Sequence, residues 1–363
     1  MRAARTYPAR RDDVRLLVVD VPTASLRESR TTQLPALLSA GDLLVVNDAA
    51  TVPGSLQGRD DAGRSVEARL IAADLERGPA HFWAVLFGAG DWRQRTEDRP
   101  PPPAVAPGDR LRFGALEAEV VAPSSLSRRL VALRFLGSPD EPDAVWAALY
   151  REGRPVQYSY LAHELPLWAV QTVYAGRPWA FEMPSAGRPL SWEILLGLRD
   201  KGVRWASLTH AAGLSSTGDA ALDAALPLPE RFEIPAATVT AIADTRRAGG
   251  RVIAVGTTVV RALEGRAAAA SDGVLRAGAG VTDLRIGHDH RLRVADGILS
   301  GVHTHAESHF ALLTAFAPPD LLHAAERAAL AHDFTTHELG DAMLILARRG
   351  SSRVTVVSGP PNG

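Results

Sequence analysis

Short apolar runs separated by polar and turn residues dominate the first 150 positions. Val14–Val19 and Asp42–Asn47 are β-rich runs with polar or turn residues on either side, as strands usually have. Between them, Leu34–Gly41 predicts a short helix that ends at its glycine. From about residue 60, strand-like runs follow one another closely, at Ser65–Ile71, His81–Phe87, Arg110–Phe113, Leu116–Val121 and Leu130–Phe135. Short strands at even spacing predict a small β-barrel or sandwich.

From about residue 151 the pattern changes to helices that alternate with single strands. The predicted helices are Trp192–Lys201 with Ser191 as N-cap, Ala236–Ala248 and Thr258–Arg266, and the predicted strands are Val203–Thr209, Arg251–Val255 and a tail strand at Val354–Val357. This alternation predicts an α/β domain with a largely parallel sheet. We therefore expect residues 1–60 and 151–363 to form the α/β catalytic domain, and 61–150 to form an inserted β-barrel domain.

Composition excludes several classes of site and partner. The chain has 363 residues, no cysteine, and 40 Lys and Arg against 41 Asp and Glu, for a formal net charge of -1. Disulfides, thiolate metal sites and cysteine nucleophiles are excluded, and the overall charge lacks the basic excess typical of proteins that grip nucleic acid by its backbone. No apolar stretch approaches the roughly 18 residues of a membrane span. These features predict a cytoplasmic protein and leave the oligomeric state open.

The string Gly256-Thr257-Thr258-Val-Val-Arg261 follows a predicted strand and opens a helix. Glycine permits a tight turn, and a helix N-terminus offers unpaired N–H groups that favour carboxylates and other anions. Arg261 falls about one turn into the helix and is a candidate partner for a carboxylate. The alternative is that Thr257 only caps the helix and Arg261 is a surface residue.

Histidines mark two further candidate positions. His210 ends the Val203–Thr209 strand, where α/β proteins place their ligands, and a histidine there can move a proton. The segment 303–309 contains ligand types for a metal, namely His303, His305, Glu307 and His309. Their i, i+2 spacing suits one face of a strand rather than the i, i+4 pattern of a zinc protease. We expect no metal there.

Other short strings carry further candidates: Asn47-Asp48 at a strand end, Gln171-Thr172-Val-Tyr174, Pro184-Ser185-Ala186-Gly187 and Gly340-Asp341. Together with Leu208-Thr-His210 and Gly256–Glu264, in this order and at these separations, they resemble the S-adenosylmethionine:tRNA ribosyltransferase-isomerase family. The resemblance covers nearly the whole chain. It implies an α/β domain plus a β-barrel, and the making of the epoxyqueuosine base from 7-aminomethyl-7-deazaguanine in tRNA.

The resemblance also implies roles for these residues. His210, His303, which aligns with a family histidine, and Asp341 become candidate catalytic groups. Candidate substrate-binding residues are Asn47, Asp48, Gln171, Thr172, Tyr174, Ser185, Ala186, Gly187, Gly256, Thr257, Thr258 and Arg261. S-adenosylmethionine is then a substrate, and no metal or other cofactor is implied.

The chain departs from the family pattern at several positions. A family histidine is Pro189 here, two arginines after Asn47-Asp48 are Ala50 and Ser55, and an aromatic residue before Gln171 is Val170. Arginines and aromatics are the side chains that pair with phosphates and stack on bases, so these changes bear on tRNA binding. Two alternatives stay open: a divergent enzyme that uses S-adenosylmethionine with a small-molecule acceptor or cleaves it without transfer, and a non-catalytic S-adenosylmethionine- or nucleoside-binding protein.

Overall fold

The computed structural model describes residues 1–74, 76–137, 142–305 and 307–347. Its helices are α1 Leu34–Leu37, α2 Pro142–Glu152, α3 Leu167–Val170, α4 Trp192–Asp200, α5 Ala220–Ala225, α6 Ala236–Arg247, α7 Thr257–Ala268, α8 Ser308–Leu313 and α9 Pro319–Ala331. Its strands are β1 Arg2–Ala3, β2 Arg15–Asp20, β3 Ser25–Arg30, β4 Leu43–Asn47, β5 Ala49–Thr51, β6 Ser55–Asp60, β7 Ser65–Ala73, β8 His81–Phe87, β9 Arg110–Phe113, β10 Leu116–Pro123, β11 Leu130–Leu136, β12 Arg177–Ala180, β13 Arg204–His210, β14 Glu230–Ile234, β15 Val252–Val255, β16 Gly278–Thr282, β17 Gly297–Gly301, β18 Thr335–Thr336 and β19 Ala342–Leu346. The strand predicted at Val354–Val357 lies outside the described residues.

The larger sheet is built around fully buried strands. Its strand order is β16-β14-β13-β4-β15-β17-β19-β2-β3, with β13, β4, β15 and β17 parallel to one another in the centre. Every residue of β4 is buried, because Leu43 and Val45 face one helical layer while Leu44 and Val46 face the other. The α/β architecture is therefore confirmed. The sheet is mixed rather than largely parallel, since antiparallel pairs such as β17-β19 and β2-β3 flank its centre.

The second unit is a closed barrel in the order β10-β11-β8-β7-β6-β9, as the spacing of the apolar runs predicts. Its interior holds alternate residues of each strand, including Phe82, Phe113 and Phe135. The predicted boundary at residue 60 needs correction, because β6 (Ser55–Asp60) pairs with β7 and β9 inside the barrel. Its polar sequence hides this role, since only Leu56 and Asp60 are buried.

Local signals placed α4, α6 and α7 near their observed bounds. Ser191 caps α4 by accepting a hydrogen bond from the N–H of Ile194 (3.3 Å). The helix predicted at Leu34–Gly41 is shorter, because α1 ends at Leu37. Within the described ranges, no helix combines the length and apolar character that crossing a membrane requires.

Candidate active site

The central parallel strands bring four sequence-distant segments to one edge of the sheet. Because β13, β4, β15 and β17 are neighbours and run in the same direction, their carboxyl ends lie side by side. These ends carry His210, Asn47, Gly256 and, two residues beyond β17, His303. Ligands of open α/β sheets bind at this edge.

The N-terminus of α7 lies at this edge, uncapped among the described residues. Gly256 has φ of 89° and donates its N–H to the carbonyl of Leu299 (2.8 Å), so the chain turns sharply from β15 into the helix. No side chain caps this helix end in the described structure, and Thr257 and Thr258 are only half-buried. The backbone N–H groups of the first turn are thus available to a carboxylate.

The turn Ser185–Gly187 covers the start of α7. A Cβ atom placed on Gly256 would lie 3.6 Å from the Cβ of Ala186. Gly187 is equally constrained, because a Cβ atom there would lie 2.2 Å from the hydroxyl oxygen of Tyr174. Small residues at 186, 187 and 256 therefore let three segments approach closely, and the structure places Ser185, Ala186 and Gly187 beside the helix end.

Arg261 is already engaged by a buried carboxylate. It forms an ion pair with Glu230, whose other oxygen accepts a hydrogen bond from the N–H of Gly213 (2.8 Å). Burial raises the pKa of Glu230, and Arg261 only partly offsets this effect. The sequence predicted that Arg261 is free to bind a ligand carboxylate. In the structure, the carboxylate of Glu230 already pairs with it.

His210 lies fully buried next to this pair. Its Nε2 is 3.4 Å from Oε2 of Glu230 without hydrogen-bond geometry, and neither ring nitrogen has a hydrogen-bond partner in the described structure. Burial, together with the charge of Arg261, holds the pKa of His210 well below its usual value. A buried neutral imidazole with two unpaired nitrogens is suited to hydrogen-bond a ligand.

His303 forms a carboxylate–imidazole dyad. Its Nδ1 is 2.8 Å from Oε2 of Glu307, and the ring stacks on His309 with centroids 4.9 Å apart. Burial favours the neutral form of Glu307, but the hydrogen bond and charge of His303 reverse this and lower the Glu307 pKa to about 2. Burial and the neighbouring His303 lower the pKa of His309 to about 4.

The segment 303–309 is not a strand face, so that expectation was wrong. Glu307 accepts hydrogen bonds from the N–H (3.2 Å) and the hydroxyl (2.9 Å) of Thr304, which closes a turn between β17 and α8. His305 points instead toward Glu326, at 3.0 Å. Among the described residues, no three His, Asp or Glu side chains converge to hold a metal ion.

Carboxyl groups accumulate where the barrel meets the sheet. Glu182 accepts hydrogen bonds from the hydroxyl of Tyr158 and from the N–H of Ser215 (2.9 Å). Burial raises the pKa of Glu182, and it raises that of Glu338 to about 7. Oε2 of Glu338 is buried with no partner among the described residues. Glu182 also raises the pKa of Glu230, and Glu338 raises that of Tyr158, whose hydroxyl donates to Glu182.

An apolar cavity of about 240 Å³ adjoins Glu230. Trp83 and Leu130 from the barrel form one wall, and Leu214 and Leu228 form the other. Whole-ligand pockets span roughly 300–1,000 Å³, so this one suits a single ring system. Its position places an apolar cavity beside Glu230.

Several predicted residues make structural contacts. The Asn47 side chain bonds both the N–H (2.9 Å) and the carbonyl (3.0 Å) of His210, and Gln171 does the same for Thr51 (2.9 and 2.8 Å). Asp48 accepts hydrogen bonds from the hydroxyls of Ser207 and Thr209, at 3.0 and 2.6 Å. These contacts position the site's strands, and ligand-binding roles for Asn47, Asp48 and Gln171 stay predictions.

The carboxylate of Asp341 is hydrogen-bonded within the protein, whereas the hydroxyl of Thr172 has no such partner in the described structure. Asp341 accepts hydrogen bonds from the N–H groups of Arg15 (3.2 Å) and Thr335 (2.8 Å), so its carboxylate ties strands together. The hydroxyl of Thr172 is buried with no partner in the described structure, and burial raises the pKa of Tyr174. A catalytic role for Asp341 stays a prediction.

Comparison with known proteins places the chain in a family. The family model described as queuosine biosynthesis protein matches residues 1–345. The chain belongs to this family. It is 34% identical over 348 residues to the S-adenosylmethionine:tRNA ribosyltransferase-isomerase of Trichlorobacter lovleyi, covering 94% of this chain and 95% of the relative. Identity to the protein of the same name from Thermus thermophilus is 34% over 351 residues, covering 93% of each.

The fold of this queuosine biosynthesis protein has a counterpart among solved structures. The crystal structure of an S-adenosylmethionine tRNA ribosyltransferase from Thermotoga maritima is similar with a TM-score of 0.50, 23% identity, and coverage of 95% of this chain and 96% of that one. The likeness supports the pairing of an α/β sheet with a barrel.

Sequence reasoning missed several groups at the site of this family member. Glu230 could have been singled out from the sequence, because it is the one residue of the segment 227–230 that matches the family pattern. Glu182 and Glu338 had no such signal, since an isolated glutamate in a loop is ordinarily a solvated surface residue, and Glu307 was named only as a candidate metal ligand. Only their burial next to histidine, tyrosine or another carboxyl group marks them as site residues.

Proposed function

We propose that this chain is an S-adenosylmethionine:tRNA ribosyltransferase-isomerase. It transfers and isomerises the ribosyl part of S-adenosylmethionine onto 7-aminomethyl-7-deazaguanine in tRNA, giving epoxyqueuosine with release of adenine and methionine. One observation carries the proposal: relatives of this name are about one-third identical over more than nine-tenths of both chains. The features of the site support a proposed position for each part of the substrate.

The carboxyl groups suit the sulfonium cation. Glu182, Glu230 and Glu338 all have raised pKa values, with Arg261 paired to one of them. A buried site with more carboxyl groups than cations pays an electrostatic cost that a bound cation would relieve. The sulfonium of S-adenosylmethionine carries that positive charge, whereas the thioether of S-adenosylhomocysteine does not.

The two ends of the substrate fit the remaining features. The methionine carboxylate would take the N–H groups at the start of α7 and the hydroxyls of Thr257 and Thr258, with Arg261 shared between it and Glu230. The adenine would occupy the apolar cavity beside Trp83 and Leu228. The ribose and its C5′ then lie between them, near the histidines.

His303 is the base that the geometry favours. The sulfonium acidifies the C5′ protons, and removing one starts the loss of adenine and the opening of the ribose. Glu307 fixes the orientation of His303 through Nδ1, so Nε2 is left to accept the proton. His210 is a weaker base because burial and Arg261 depress its pKa, and it suits a proton shuttle or a hydrogen bond to the ribose. The amine of the acceptor then attacks, and methionine leaves as the epoxide closes.

Adenine release tests the proposed function. The protein is incubated with labelled S-adenosylmethionine, with and without precursor tRNA that carries 7-aminomethyl-7-deazaguanine. We expect release that depends on the tRNA, together with label in the tRNA. Release without tRNA would point to a small-molecule acceptor or simple cleavage. Binding of S-adenosylmethionine with no release under any condition would identify a non-catalytic binding protein.

A further inference from the structure

Three aromatic rings stack from the candidate site toward the surface. Tyr158 and Tyr160 are 6.0 Å apart with an interplanar angle of 20°, and Tyr160 and His337 are 4.5 Å apart at 17°. The Tyr158 hydroxyl bonds Glu182 at the site, whereas His337 is exposed. The Tyr160 hydroxyl is buried with no partner in the described ranges. One end of the stack is therefore in the site and the other is open to solvent.

The N-terminal segment runs beside this stack. Strand β1 pairs in parallel with β18, with Ala3 opposite Thr336, so the segment passes directly alongside His337. The carbonyl of Arg5 accepts a hydrogen bond from the N–H of Ala162 (2.8 Å), two residues after Tyr160. The side chain of Arg5 is exposed. A cation thus lies on the surface between the two backbone segments that carry the stacked rings.

The same segment continues to a second aromatic pair. Tyr7 and Trp168 form an edge-to-face contact with centroids 5.3 Å apart, and Trp168 is 60% exposed. Arg11 holds this region by donating to the carbonyl of Trp168 (3.2 Å) and to that of Gln171. His337, Tyr160, Arg5, Tyr7 and Trp168 thus follow the N-terminal segment in turn, with Tyr7 and Tyr160 packed against the same buried cluster, and we name this set the aromatic–arginine face.

We propose that the aromatic–arginine face binds a single-stranded RNA loop, with unstacked bases on His337 and Trp168 and a phosphate on Arg5. Single-stranded bases are recognised by stacking on aromatic side chains, and stacking tolerates any base. The net charge of -1 shows no overall basic excess, and exposed rings with a local arginine offer a contact that does not require one. This inference rests on the proposed function and names where the tRNA loop lies.

The face also explains how the site reaches its acceptor. The reacting base must leave the loop's stack to enter the site. The ring stack ends at Tyr158 and Glu182, and Glu182 interacts electrostatically with Glu230. A loop bound on His337 would thus hold its neighbouring base at the entrance.

Direct binding tests the face without requiring turnover. Affinity for a fluorescent hairpin RNA with the anticodon-loop sequence is measured for the full-length protein and for Trp168→Ala, Trp168→Tyr and Arg5→Ala. We expect Trp168→Ala to weaken binding roughly 5- to 100-fold, the range for one lost base stack, and Trp168→Tyr to restore most of it. Arg5→Ala should reduce the slope of log affinity against log salt by about 0.7, the value for one phosphate of a single strand.

Matched controls lie on other surfaces. Trp192→Ala removes a tryptophan that is 49% exposed on α4, and Arg291→Ala removes an exposed arginine from the loop between β16 and β17. Both should bind the hairpin like the unmodified protein. Equal affinity of Trp168→Ala, Arg5→Ala and the controls would overturn the inference, as would tighter binding of a blunt duplex RNA than of the hairpin.

A separate readout isolates the proposed function. S-adenosylmethionine should raise the melting temperature of every variant equally, because the face is outside its binding site. If the unmodified protein binds hairpin RNA through the face yet never releases adenine, the surface assignment stands and the enzymatic proposal fails. If adenine release is normal while replacement of Trp168 and Arg5 leaves hairpin affinity unchanged, the enzymatic proposal stands and the surface assignment fails.

Discussion

The barrel and the sheet edge each bury a glutamate beside arginine, and the two glutamates differ in pKa. In the barrel, Glu67 pairs with Arg69 (2.7 Å) and Arg99, and the arginines outweigh burial and hold its pKa below the usual value. At the sheet edge, Glu230 has Arg261 and a neighbouring carboxyl, Glu182, so burial wins and its pKa is raised.

This difference separates a structural charge cluster from a binding site. The barrel cluster pairs both oxygens of its carboxylate: Oε1 of Glu67 accepts hydrogen bonds from Arg69 (2.7 Å) and Ser55 (2.9 Å), and Oε2 pairs with Arg99. Its unpaired atoms in the described structure are arginine nitrogens, Nη1 of Arg69 and Nε of Arg99, whereas at the sheet edge a carboxyl oxygen, Oε2 of Glu338, and both ring nitrogens of His210 lack partners. Unsatisfied buried groups cost stability, and a bound ligand can recover that cost.

The largest expected effect is on turnover at the sheet edge. His303→Ala should cut adenine release by roughly 10²–10⁴, the usual contribution of a positioned general base, while S-adenosylmethionine still binds. Glu307→Gln should lower adenine release less than His303→Ala does. It should also shift the pH–rate profile, because it changes only the group that orients His303. Stopped-assay adenine release across pH measures both. If His210→Ala loses more activity than His303→Ala, the general base is His210 rather than His303.

The next effect is on barrel stability. Glu67→Ala strands two buried arginines and should destabilise the protein by about 3–5 kcal/mol, the range for breaking a buried ion pair. Urea unfolding measures the loss, and the activity of the protein that remains folded should persist. A loss of less than about 1 kcal/mol in the free energy of unfolding would mean that the ion pairs of Glu67 do not stabilise the barrel. Arg110→Ala breaks an exposed pair with Glu117 (2.8 Å) and is the control, with an expected loss of at most about 1 kcal/mol.

Arg261 tests whether the sheet edge shares its cation with the substrate. Arg261→Ala should weaken S-adenosylmethionine binding by about 1.5–3 kcal/mol, the range for a charge-assisted hydrogen bond, and Arg261→Lys should recover only part. Calorimetry measures both. If the double variant Arg261→Ala with Glu230→Gln binds normally, Arg261 serves only to neutralise Glu230.

The smallest effect is a pH dependence of binding. Glu338 has a pKa of about 7, above its unfolded value, so it is protonated in the empty site below pH 7 and must lose that proton to meet a cation. Affinity for S-adenosylmethionine should therefore fall as pH drops below 7, by up to about tenfold per pH unit for one linked proton. Glu338→Gln should flatten this dependence. S-adenosylhomocysteine, which lacks the positive sulfur, should show none.

The same raised pKa has a consequence for stability. Protonated Glu338 is tolerated in the folded protein, so its penalty is absent at low pH and grows as pH rises from about 4.5 toward 7. Glu338→Gln should accordingly raise the melting temperature more at pH 8 than at pH 5. An equal gain at both values would show that Glu338 does not titrate in this range.

Local patterns predicted much of the framework because short-range rules govern it. The runs at His81–Phe87 and Leu130–Phe135 became β8 and β11 with small changes at their ends, since buried strands need apolar residues. β6 and β14 escaped prediction because their sequences are largely polar. Their pairing partners, rather than their own residues, make them strands.

The candidate site was only partly visible in the sequence. The glycine and threonines that open α7 could be predicted, because a strand–glycine–helix string has one local geometry. Glu307 was named only as a possible metal ligand, and a strand was expected where a turn places it against His303. That contact depends on how the chain folds back on itself between β17 and α8, which spacing alone does not encode.

The sequence by itself therefore determined the two kinds of domain, the helix start at Gly256–Thr258 and the family, since these depend on residues close together or on strings in a set order. The tertiary structure alone decided that Arg261 pairs with Glu230, that Glu182 lies near Glu230 and Glu338 near Tyr158, and that Arg5 lies beside the Tyr160–His337 stack. The reason is physical: charge interactions and desolvation act through space, so the chemistry of a buried group is set by neighbours that can lie hundreds of residues away.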